Sequence, residues 1–364
     1  MKVVHVNTER TWRGGESQVF NLMRGLARLG HEPRAVTLPS SALAGRCRQE
    51  GLPVYEMAMR SDADLPAAFR LARHLRREPC DILHAQTARA HSIALLARLL
   101  GARARLVVSR RIDFPVRRDP FNRWKYRSRR VDRFIAVAEN IREILLAAGV
   151  EPQRVTVINS SIDLGRFTDV GDHRSEVRSE LGLPPTAPVI GNVAALAWHK
   201  GQKDLLAAMP DVLAVLPETR LVVVGEGDQR QALEQQAAQS GIADRVVFTG
   251  MRHDVPRLLT AFDLFCMPSY LEGLCNSVLE AFAMRLPVVA TRAGGLPEIV
   301  RHEQTGLLAP PHDPPALAAA LVRALTDPAL ASRMSDAGHR LVHERFGVDR
   351  MVELTAAVYA SLLS

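Results

Sequence analysis

Two glutamates with seven residues between them, Glu272 and Glu280, frame the stretch of this chain that is best suited to bind an anionic ligand. Glu272 is followed by Gly273, and Glu280 lies within the helix-like apolar run 278–284. Unpaired backbone N–H groups at the start of such a helix, together with the helix dipole, favour a diphosphate. Gly273 lets a ligand approach the backbone closely. The pattern predicts that Glu272 accepts hydrogen bonds from sugar hydroxyls and that Glu280 binds both hydroxyls of a ribose.

A lysine occupies a second loop with residues suited to anion binding. Lys200 belongs to the run Trp-His-Lys-Gly-Gln-Lys at 198–203, which follows a predicted strand, Val189–Val193. We expect its charge to lie opposite a diphosphate and to stabilise that leaving group as the bond to a sugar breaks.

Three glycine-containing loops complete the candidate ligand contacts. Gly14 and Gly15 lie between the first strand and the first helix, where open α/β sheets bind ligands. They match neither the dinucleotide-binding pattern nor the P-loop, and a simple turn is the alternative. Gly225 ends a strand in the run Val-Gly-Glu-Gly, and Gly250 ends another in Phe-Thr-Gly-Met-Arg.

These motifs together resemble a known family. The run Glu-Gly-x-x-x-Ser-x-x-Glu-Ala at 272–281, with the four loops above and the hinge-like run 159–167, resembles the retaining, nucleotide-sugar-dependent glycosyltransferases of family 4, also called group 1. The resemblance implies the GT-B fold, in which two Rossmann-like, doubly wound parallel-sheet domains face each other across a cleft. It also implies a C-terminal helix that crosses back to the N-terminal domain.

The resemblance assigns roles to the residues that match the family's motifs. Lys200 and Glu272 are implied to be catalytic. Neither a cofactor nor a metal is implied, since the nucleoside-diphosphate sugar is a substrate. The nucleotide-sugar-binding residues are expected to be Gly15, Gly225, Arg252, Leu274, Cys275, Asn276, Ser277 and Glu280, and the acceptor-side residues Glu16, His84, Arg110 and Arg111.

The chain departs from the family's pattern at two positions. Ala195 stands where the family has an arginine on the donor phosphates, so that Arg292, His199 or the loop at Arg13 must compensate, or turnover is weaker. Arg111 stands where the family often has a histidine that helps to position the donor sugar. An arginine cannot act as a base at neutral pH, but it binds phosphate or carboxylate through two hydrogen bonds.

Length and composition indicate a globular protein of two domains. The chain has 364 residues, of which 47% are hydrophobic and 24% are charged. No apolar run reaches the roughly 18 residues needed to span a bilayer, and the N-terminus is predicted to be a strand rather than a signal peptide. Four cysteines without paired spacing fit a reducing cytoplasm, and a disulfide or zinc framework is not expected: Cys47, Cys80, Cys266 and Cys275.

The net charge of +8 is concentrated in one stretch. Residues 103–133 contain twelve Lys or Arg and three Asp, a net of +9. The stretch also contains four aromatic residues, Phe114, Phe121, Trp124 and Tyr126. This mixture suits an anionic membrane surface or an anionic acceptor, and an arginine-rich solvated face is the alternative. Nucleic acid is not expected, because no nucleic-acid-binding motif accompanies the stretch.

Alternating strand-like and helix-like segments predict parallel strands with helices on both faces, in two consecutive series. A polar, Pro- and Gly-containing segment, 160–186, separates the two series and is predicted to be the domain linker. We predict an N-terminal acceptor-binding domain (1–165), a C-terminal nucleotide-sugar-binding domain (166–345) and a final helix (346–364) that packs on the first domain. Asp62 and Asp64 spell Asp-x-Asp, which we interpret as a helix N-cap before Leu65 and not as a metal site.

The sequence therefore predicts a retaining, metal-independent hexosyltransferase that uses a nucleoside-diphosphate sugar, with UDP favoured. Its expected acceptor is a lipid-linked or anionic cell-envelope glycoconjugate such as lipopolysaccharide. It is expected in the cytoplasm or peripherally at the inner face of the cytoplasmic membrane. The alternatives are an epimerase or phosphorylase of the same fold, and a non-catalytic nucleotide-sugar-binding or membrane-associated partner protein.

Overall fold

The computed structural model describes residues 1–364, which form two compact units. The first comprises Met1–Ser161 with Val348–Ser364, and the second comprises Ile162–Gly347. Each unit is built on one parallel sheet with helices on its faces, which confirms the predicted α/β class. None of the helices combines the length and the apolar composition that crossing a bilayer requires.

The first unit contains a seven-stranded sheet in the order β3-β2-β1-β4-β5-β6-β7. The strands are β1 (Lys2–Val6), β2 (Glu32–Thr37), β3 (Val54–Glu56), β4 (Ile82–Ala85), β5 (Arg105–Arg110), β6 (Arg133–Ala136) and β7 (Val155–Val157). The helices of this part of the chain are α1 (Gly14–Arg28), α2 (Ala42–Gln49), α3 (Leu65–Arg77), α4 (Ala88–Leu99), α5 (Pro120–Arg127) and α6 (Glu139–Ala147).

The second unit contains a six-stranded sheet in the order β10-β9-β8-β11-β12-β13. The strands are β8 (Val189–Val193), β9 (Arg220–Val224), β10 (Val246–Gly250), β11 (Leu264–Met267), β12 (Val288–Thr291) and β13 (Leu307–Ala309). The helices are α7 (Arg174–Glu180), α8 (Gln202–Val215), α9 (Arg230–Gln239), α10 (Val255–Leu259), α11 (Asn276–Ala283), α12 (Leu296–Ile299), α13 (Pro314–Thr326) and α14 (Pro328–Arg345).

Apolar strands and capped helices explain why these segments adopt their structures. Every residue of β4, β11 and β12 is buried, as expected for strands that helices cover on both faces. Several helices begin at a Ser, Thr or Asp whose side chain accepts a backbone N–H of the first turn. Asp64 is one of these N-caps, because its carboxylate accepts the N–H of Ala67 at 2.9 Å. The interpretation of Asp62–Asp64 as a capping segment is thus confirmed.

The last helix, α15 (Val348–Leu363), belongs to the first unit. It packs against α1 so closely that a Cβ at Gly25 would lie 2.3 Å from Val352 Cγ2. Met351, Val352 and Tyr359 enter the same buried cluster as residues of β1, α1 and β4. The return of the C-terminal helix to the first unit agrees with the GT-B expectation.

The polar segment that was predicted to be a linker belongs largely to the second unit. Residues after Ser161 form a one-turn 3-10 helix, Leu164–Phe167, and then α7. Arg178 of α7 is buried, with its guanidinium bonded to Asp263 at 2.7 Å and to the Pro185 carbonyl at 2.6 Å. Its charge is matched within the unit, so a polar composition here indicates a packed connection and not an open linker.

Candidate functional site

Lys200 and Glu272, the two residues predicted to be catalytic, form an ion pair in the second unit. Lys200 Nζ donates to Glu272 Oε2 at 2.6 Å, and the two side chains are only 18% and 11% exposed. The Ser269 hydroxyl also donates to Glu272 Oε2, at 3.2 Å. A partly buried pair of this kind holds both side chains in place while no ligand is bound.

Close packing of loops at the carboxyl edge of the second sheet positions this pair. Lys200 ends a one-turn helix after β8, and Glu272 lies in the loop after β11. Gly201 has a φ of 69°, and a Cβ there would lie 1.9 Å from the Pro268 carbonyl oxygen. The Tyr270 N–H donates to the His199 carbonyl at 2.8 Å. The two loops are therefore in backbone contact, and only glycine fits at position 201.

The N-terminus of α11 lies a few residues after Glu272 and carries no side-chain cap. Cys275 is its N-cap residue, and Leu274 and Cys275 are both buried. Asn276 Oδ1 is buried without a hydrogen-bond partner, and Ser277 is partly buried. Burial raises the pKa of the Cys275 thiol, which therefore stays protonated. An uncapped helix start of this kind leaves backbone N–H groups available to an anion.

Glu280 lies in the second turn of α11 with an unusual environment for a carboxylate. It is partly buried, and no protein group donates a hydrogen bond to it. Burial raises the pKa of Glu280 to about 7, and the positive charge of Arg166 acts in the opposite direction. Arg166 belongs to the one-turn helix Leu164–Phe167, which packs against α11. The sequence reasoning missed Arg166, although it lies within the hinge-like motif 159–167.

Gly225 and Gly250 hold neighbouring strand ends together. Gly225 has a φ of 141°, and a Cβ there would lie 1.9 Å from the Ala194 carbonyl oxygen. Its N–H donates to the Gly250 carbonyl at 2.9 Å. Gly225 is thus required by the backbone packing of the edge that also carries Lys200.

Arg252, one of the residues expected to bind the nucleotide sugar, forms ion pairs with carboxylates of the protein. Its guanidinium donates to both oxygens of Asp254, at 2.8 and 2.7 Å, and to Glu180. Arg257 binds the same Glu180 at 2.7 Å. Arg252 therefore fixes the loop after β10, whereas the neighbouring Met251 side chain is 60% exposed.

No charged side chain stands at the position where the family has an arginine, because the residue here is Ala195. Ala195 is exposed, and its carbonyl accepts the Gln202 side-chain amide at 3.1 Å. Arg292, which directly follows β12 on the same edge of the sheet, is exposed and forms no ion pair. Arg13, another of the cations expected to compensate, is likewise exposed and forms no ion pair.

Two expected acceptor-side residues of the first unit serve its internal structure. Glu16 is 3% exposed and accepts the Asn7 amide and the Arg13 N–H, both at 3.2 Å, which makes it the acidic partner of a capping box. Burial raises its pKa. Arg110 is buried and donates to the Tyr126 hydroxyl at 2.6 Å and to the Phe114 carbonyl. By contrast, a Cβ at Gly15 would meet nothing within 4 Å.

His84 and Arg111 line the same small cavity of the first unit. His84 is buried between the Tyr359 hydroxyl, 2.6 Å from Nδ1, and the Ser109 hydroxyl, 2.8 Å from Nε2. Burial lowers its pKa, so the ring is neutral. Arg111 donates to the backbone carbonyl and the side-chain oxygen of Gln86, at 3.0 and 2.7 Å.

The basic stretch presents only part of its charge to solvent. Lys125 and Tyr126 are buried, as is Arg110, so these residues do not belong to an exposed surface. From the residues of the stretch that remain exposed we define the basic face as Ile112, Phe114, Arg117, Arg118, Arg123 and Trp124. Its three arginines form no ion pairs, so their charge is available to an anionic partner.

Two family models match successive parts of the chain. The model described as glycosyltransferase family 4 matches residues 12–166, and the model described as glycosyl transferases group 1 matches residues 173–341. The chain is 32% identical to a 2-deoxystreptamine glucosyltransferase of Streptomyces kanamyceticus over 245 residues, which are 66% of this chain and 63% of that relative. It is 28% identical to the lipopolysaccharide core biosynthesis glycosyltransferase LpsE of Rhizobium meliloti over 99% of both chains.

Solved structures share the fold at low sequence identity. Anabaena Alr3699/HepE in complex with UDP and glucose superposes with a TM-score of 0.88 at 23% identity, over 99% of this chain and 100% of that one. WaaG, a glycosyltransferase involved in lipopolysaccharide biosynthesis, superposes with a TM-score of 0.73 at 17% identity, over 98% and 99% of the two chains. These similarities establish the arrangement of strands and helices as that of the GT-B fold.

Proposed function

We propose, because the chain belongs to the group 1 glycosyltransferases with the GT-B fold, that it transfers a sugar from a UDP-sugar to a lipid-linked or anionic cell-envelope glycoconjugate such as lipopolysaccharide. The proposed transfer retains the configuration at the anomeric carbon and needs neither a metal nor a cofactor. The observation that carries the proposal is the Lys200–Glu272 pair, 2.6 Å apart, in the loops that precede the uncapped start of α11.

In the proposed mechanism, the donor diphosphate replaces Glu272 as the partner of Lys200. The ammonium group and the N–H groups of Asn276 and Ser277 then stabilise the negative charge that develops as the sugar–phosphate bond breaks. Glu272, freed from Lys200, accepts hydrogen bonds from the sugar hydroxyls, and Glu280 accepts those of the ribose. The positive charge of Lys200 and of the helix start takes the place that a metal ion has in other transferases.

No side chain of the protein is assigned as the base. The acceptor hydroxyl attacks the anomeric carbon on the face from which the diphosphate departs, and its proton passes to an oxygen of the leaving phosphate. The bond to the diphosphate breaks as the new glycosidic bond forms on the same face, so the configuration is retained. Arg292 is the cation proposed to stand in for the arginine that Ala195 replaces.

The relatives support the proposed substrates. HepE was solved with UDP and glucose, which favours UDP as the nucleotide. LpsE and LpsD of Rhizobium meliloti, both named for lipopolysaccharide core biosynthesis, match 99% and 95% of this chain. The basic face adds a surface that attracts anionic lipid. We propose that the protein works peripherally at the cytoplasmic face of the membrane, where a lipid-linked acceptor is accessible.

Thermal unfolding with a panel of UDP-, GDP-, ADP- and dTDP-sugars tests the donor site. A ligand at about 100 times its Kd adds roughly 2.7 kcal/mol to the free energy of unfolding, so binding raises the melting temperature measurably. We expect one nucleotide to do so in the wild type and not in Lys200→Ala. Lys203→Ala is the matched control, because Lys203 is exposed and the same charge is removed. An equal loss in both variants would contradict a specific role for Lys200.

Proton NMR of the sugar products tests retention and metal independence. We expect the anomeric proton of the first-formed product to show the configuration of the donor, at a rate that EDTA leaves unchanged. A product of opposite configuration would rule out the proposed same-face reaction. Donor binding without any product in the presence of lipopolysaccharide acceptors would favour the alternative, a non-catalytic nucleotide-sugar-binding protein, which Ala195 and Arg111 motivate.

A further inference from the structure

Arg111 carries a positive charge on which the carboxylates of the protein act only at longer range. The side chain is largely withdrawn from solvent and forms no ion pair. Burial lowers the pKa of its guanidinium to about 10, so the group remains charged at neutral pH. An unpaired charge in such a place is costly and calls for a compensating group.

The contacts of Arg111 orient the guanidinium without neutralising it. Both partner atoms are oxygens of the neutral residue Gln86. The Nε atom is buried and has no hydrogen-bond partner. Gln86 is itself held by His5 Nδ1, 2.9 Å from its amide nitrogen. The guanidinium is thus fixed in direction and retains unused donor capacity.

The neighbouring histidines add no charge, and Glu16 acts on Arg111 only at longer range. Burial, and secondarily the charge of Arg111, lowers the pKa of His5 to about 3, and burial also lowers that of His84, so both rings are neutral. The two oxygens of Glu16 accept the Asn7 amide and the Arg13 N–H, and no hydrogen bond joins Glu16 to Arg111. Its negative charge therefore acts on Arg111 without direct contact.

Arg111 also lines a small cavity of the first unit. The cavity lies where β5, β6 and β7 end and is bounded by polar groups on one side and by α1 and α15 on the other. Its lining includes Gln18, His84, Ser109, Arg111, Asn159 and Ser160. Arg110, the preceding residue, differs in this respect, because its guanidinium faces the Tyr126 ring and lies outside the cavity.

We propose that this cavity binds the anionic group of a substrate, a carboxylate or a phosphate, through Arg111. The inference rests on the proposed function only in taking the ligand to be a substrate of the transferase. The same chemistry has two sources, since the anion belongs either to the acceptor or to an acidic donor sugar. The binding of small anionic sugars tests the site without turnover.

The test is an NMR-detected titration of the full-length protein, saturated with UDP so that phosphates cannot enter the donor site. The probes are glucuronate, glucose 6-phosphate and neutral glucose. We expect the wild type to bind both anionic sugars at least about tenfold more tightly than glucose, as a charge-assisted hydrogen bond implies. Arg111→Gln is expected to remove this preference, and Arg111→Lys to keep part of it.

Arg103→Gln is the matched control, because it removes an exposed arginine that lies shortly before the same strand, β5. The proposal is overturned if the wild type binds glucose as tightly as the anionic sugars, or if Arg103→Gln and Arg111→Gln weaken binding equally. UDP-glucose should still raise the melting temperature of Arg111→Gln. If UDP-glucose stabilises neither this variant nor the wild type, the proposed function fails and not the anion site.

Comparison of two donors identifies the source of the anion. If it belongs to the donor sugar, UDP-glucuronate binds the wild type at least about tenfold more tightly than UDP-glucose, and Arg111→Gln abolishes the difference. If it belongs to the acceptor, the two donors bind alike, while glucuronate and glucose 6-phosphate still depend on Arg111. Either result supports an anion site, and independence of all four ligands from Arg111 refutes it.

Discussion

At the residue scale, Glu280 is proposed to bind the ribose, and its burial lowers the stability of the folded protein at neutral pH and above. Burial raises the pKa of its carboxyl to about 7 in the folded state, from an ordinary value of 4.5. Between these two values the folded protein holds a proton that the unfolded chain has released. The free energy of unfolding therefore falls as the pH rises through this window.

Glu280→Gln should remove this dependence and stabilise the unliganded protein. We expect the variant to exceed the wild type in stability by roughly 1–3 kcal/mol at about pH 8 and to match it at about pH 4.5, measured by urea denaturation. Its affinity for the nucleotide should fall at the same time. Glu344→Gln, which changes an exposed glutamate, is the control and should show neither effect. Parallel stability curves for wild type and Glu280→Gln would refute the assigned environment.

Gly201 and Gly15 differ in what an added methyl group would contact. Gly201→Ala places a methyl group against the Pro268 carbonyl at a φ of 69°, so we expect a loss of roughly 2–4 kcal/mol in chemical denaturation. Gly15→Ala meets no protein atom and should leave stability within about 0.5 kcal/mol. If a substrate approaches the backbone at Gly15, this variant loses turnover alone. Full activity in Gly15→Ala would remove Gly15 from the site.

The motif residues could be predicted from the sequence, but their protein partners could not. The spacing of Glu272 and Glu280 and the loop at Lys200 depend on local sequence. The carboxylates that occupy Arg252, by contrast, include Glu180, which lies far away in the chain. Arg166 escaped notice for the same reason, because its proximity to Glu280 arises only when residues 164–167 pack against α11.

At the element scale, α5 determines which residues of the basic stretch face solvent. The exposed positions of this helix include Arg123, Trp124 and Arg127, at spacings of one helical face, while Lys125 and Tyr126 point into the first unit. Lys125 Nζ donates to the Ala88 carbonyl at 2.6 Å, which anchors α5 to the start of α4. The helix thus presents arginine and tryptophan outward, an arrangement suited to the headgroup region of a membrane.

Charge reversal on the basic face tests this surface. We expect Arg117→Glu with Arg118→Glu to weaken binding to vesicles containing anionic lipid by at least about 30-fold, since each arginine near the surface contributes about 1 kcal/mol. Sedimentation with anionic and with zwitterionic vesicles measures the effect. Arg340→Glu with Arg350→Glu is the control, because both arginines are exposed and the net charge changes equally. Binding that is unaffected by the first pair and by salt would refute a lipid-binding role.

Element types were predictable where the apolar pattern was strong. The strand Val189–Val193 and the helix around 278–284 were predicted within a few residues. The short elements β3, α5, α10, α12 and β13 were not, because three to eight residues give too little periodicity. The polar segment after Ser161 was predicted to be a linker but is packed into the second unit. Its composition did not reveal this, since the burial of Arg178 depends on a distant partner, Asp263.

At the scale of the whole molecule, the chain completes its first unit with its last helix. Truncation after Gly347 would remove Met351, Val352 and Tyr359 from the buried cluster around Val3 and Ile82. We expect the amides of β1 and β4 to lose protection in hydrogen exchange, while those of β8 and β11 keep it. Unchanged protection of β1 after truncation would contradict this assignment.

Tyr359→Phe leaves His84 Nδ1 without its partner and should lower the free energy of unfolding by about 1–3 kcal/mol.

The alternation of strands and helices was enough to predict two α/β units, but not the return of α15. A pattern of apolar residues in 348–363 predicts a helix and does not say which sheet it covers. That information came from the family resemblance. The close contact of Gly25 with Val352 gives it a physical basis, because the absence of a side chain at position 25 lets α15 approach α1.

The most direct test of the donor site is a calorimetric titration of UDP-glucose, or of the UDP-sugar that stabilises the protein most, into the wild type, Lys200→Ala and Glu280→Ala. The account predicts that the wild type binds and that each variant binds at least about tenfold more weakly, in line with the loss of a charge-assisted hydrogen bond. Lys203→Ala should bind like the wild type. Equal affinity in all four proteins would contradict the assignment of the donor site to Lys200 and α11.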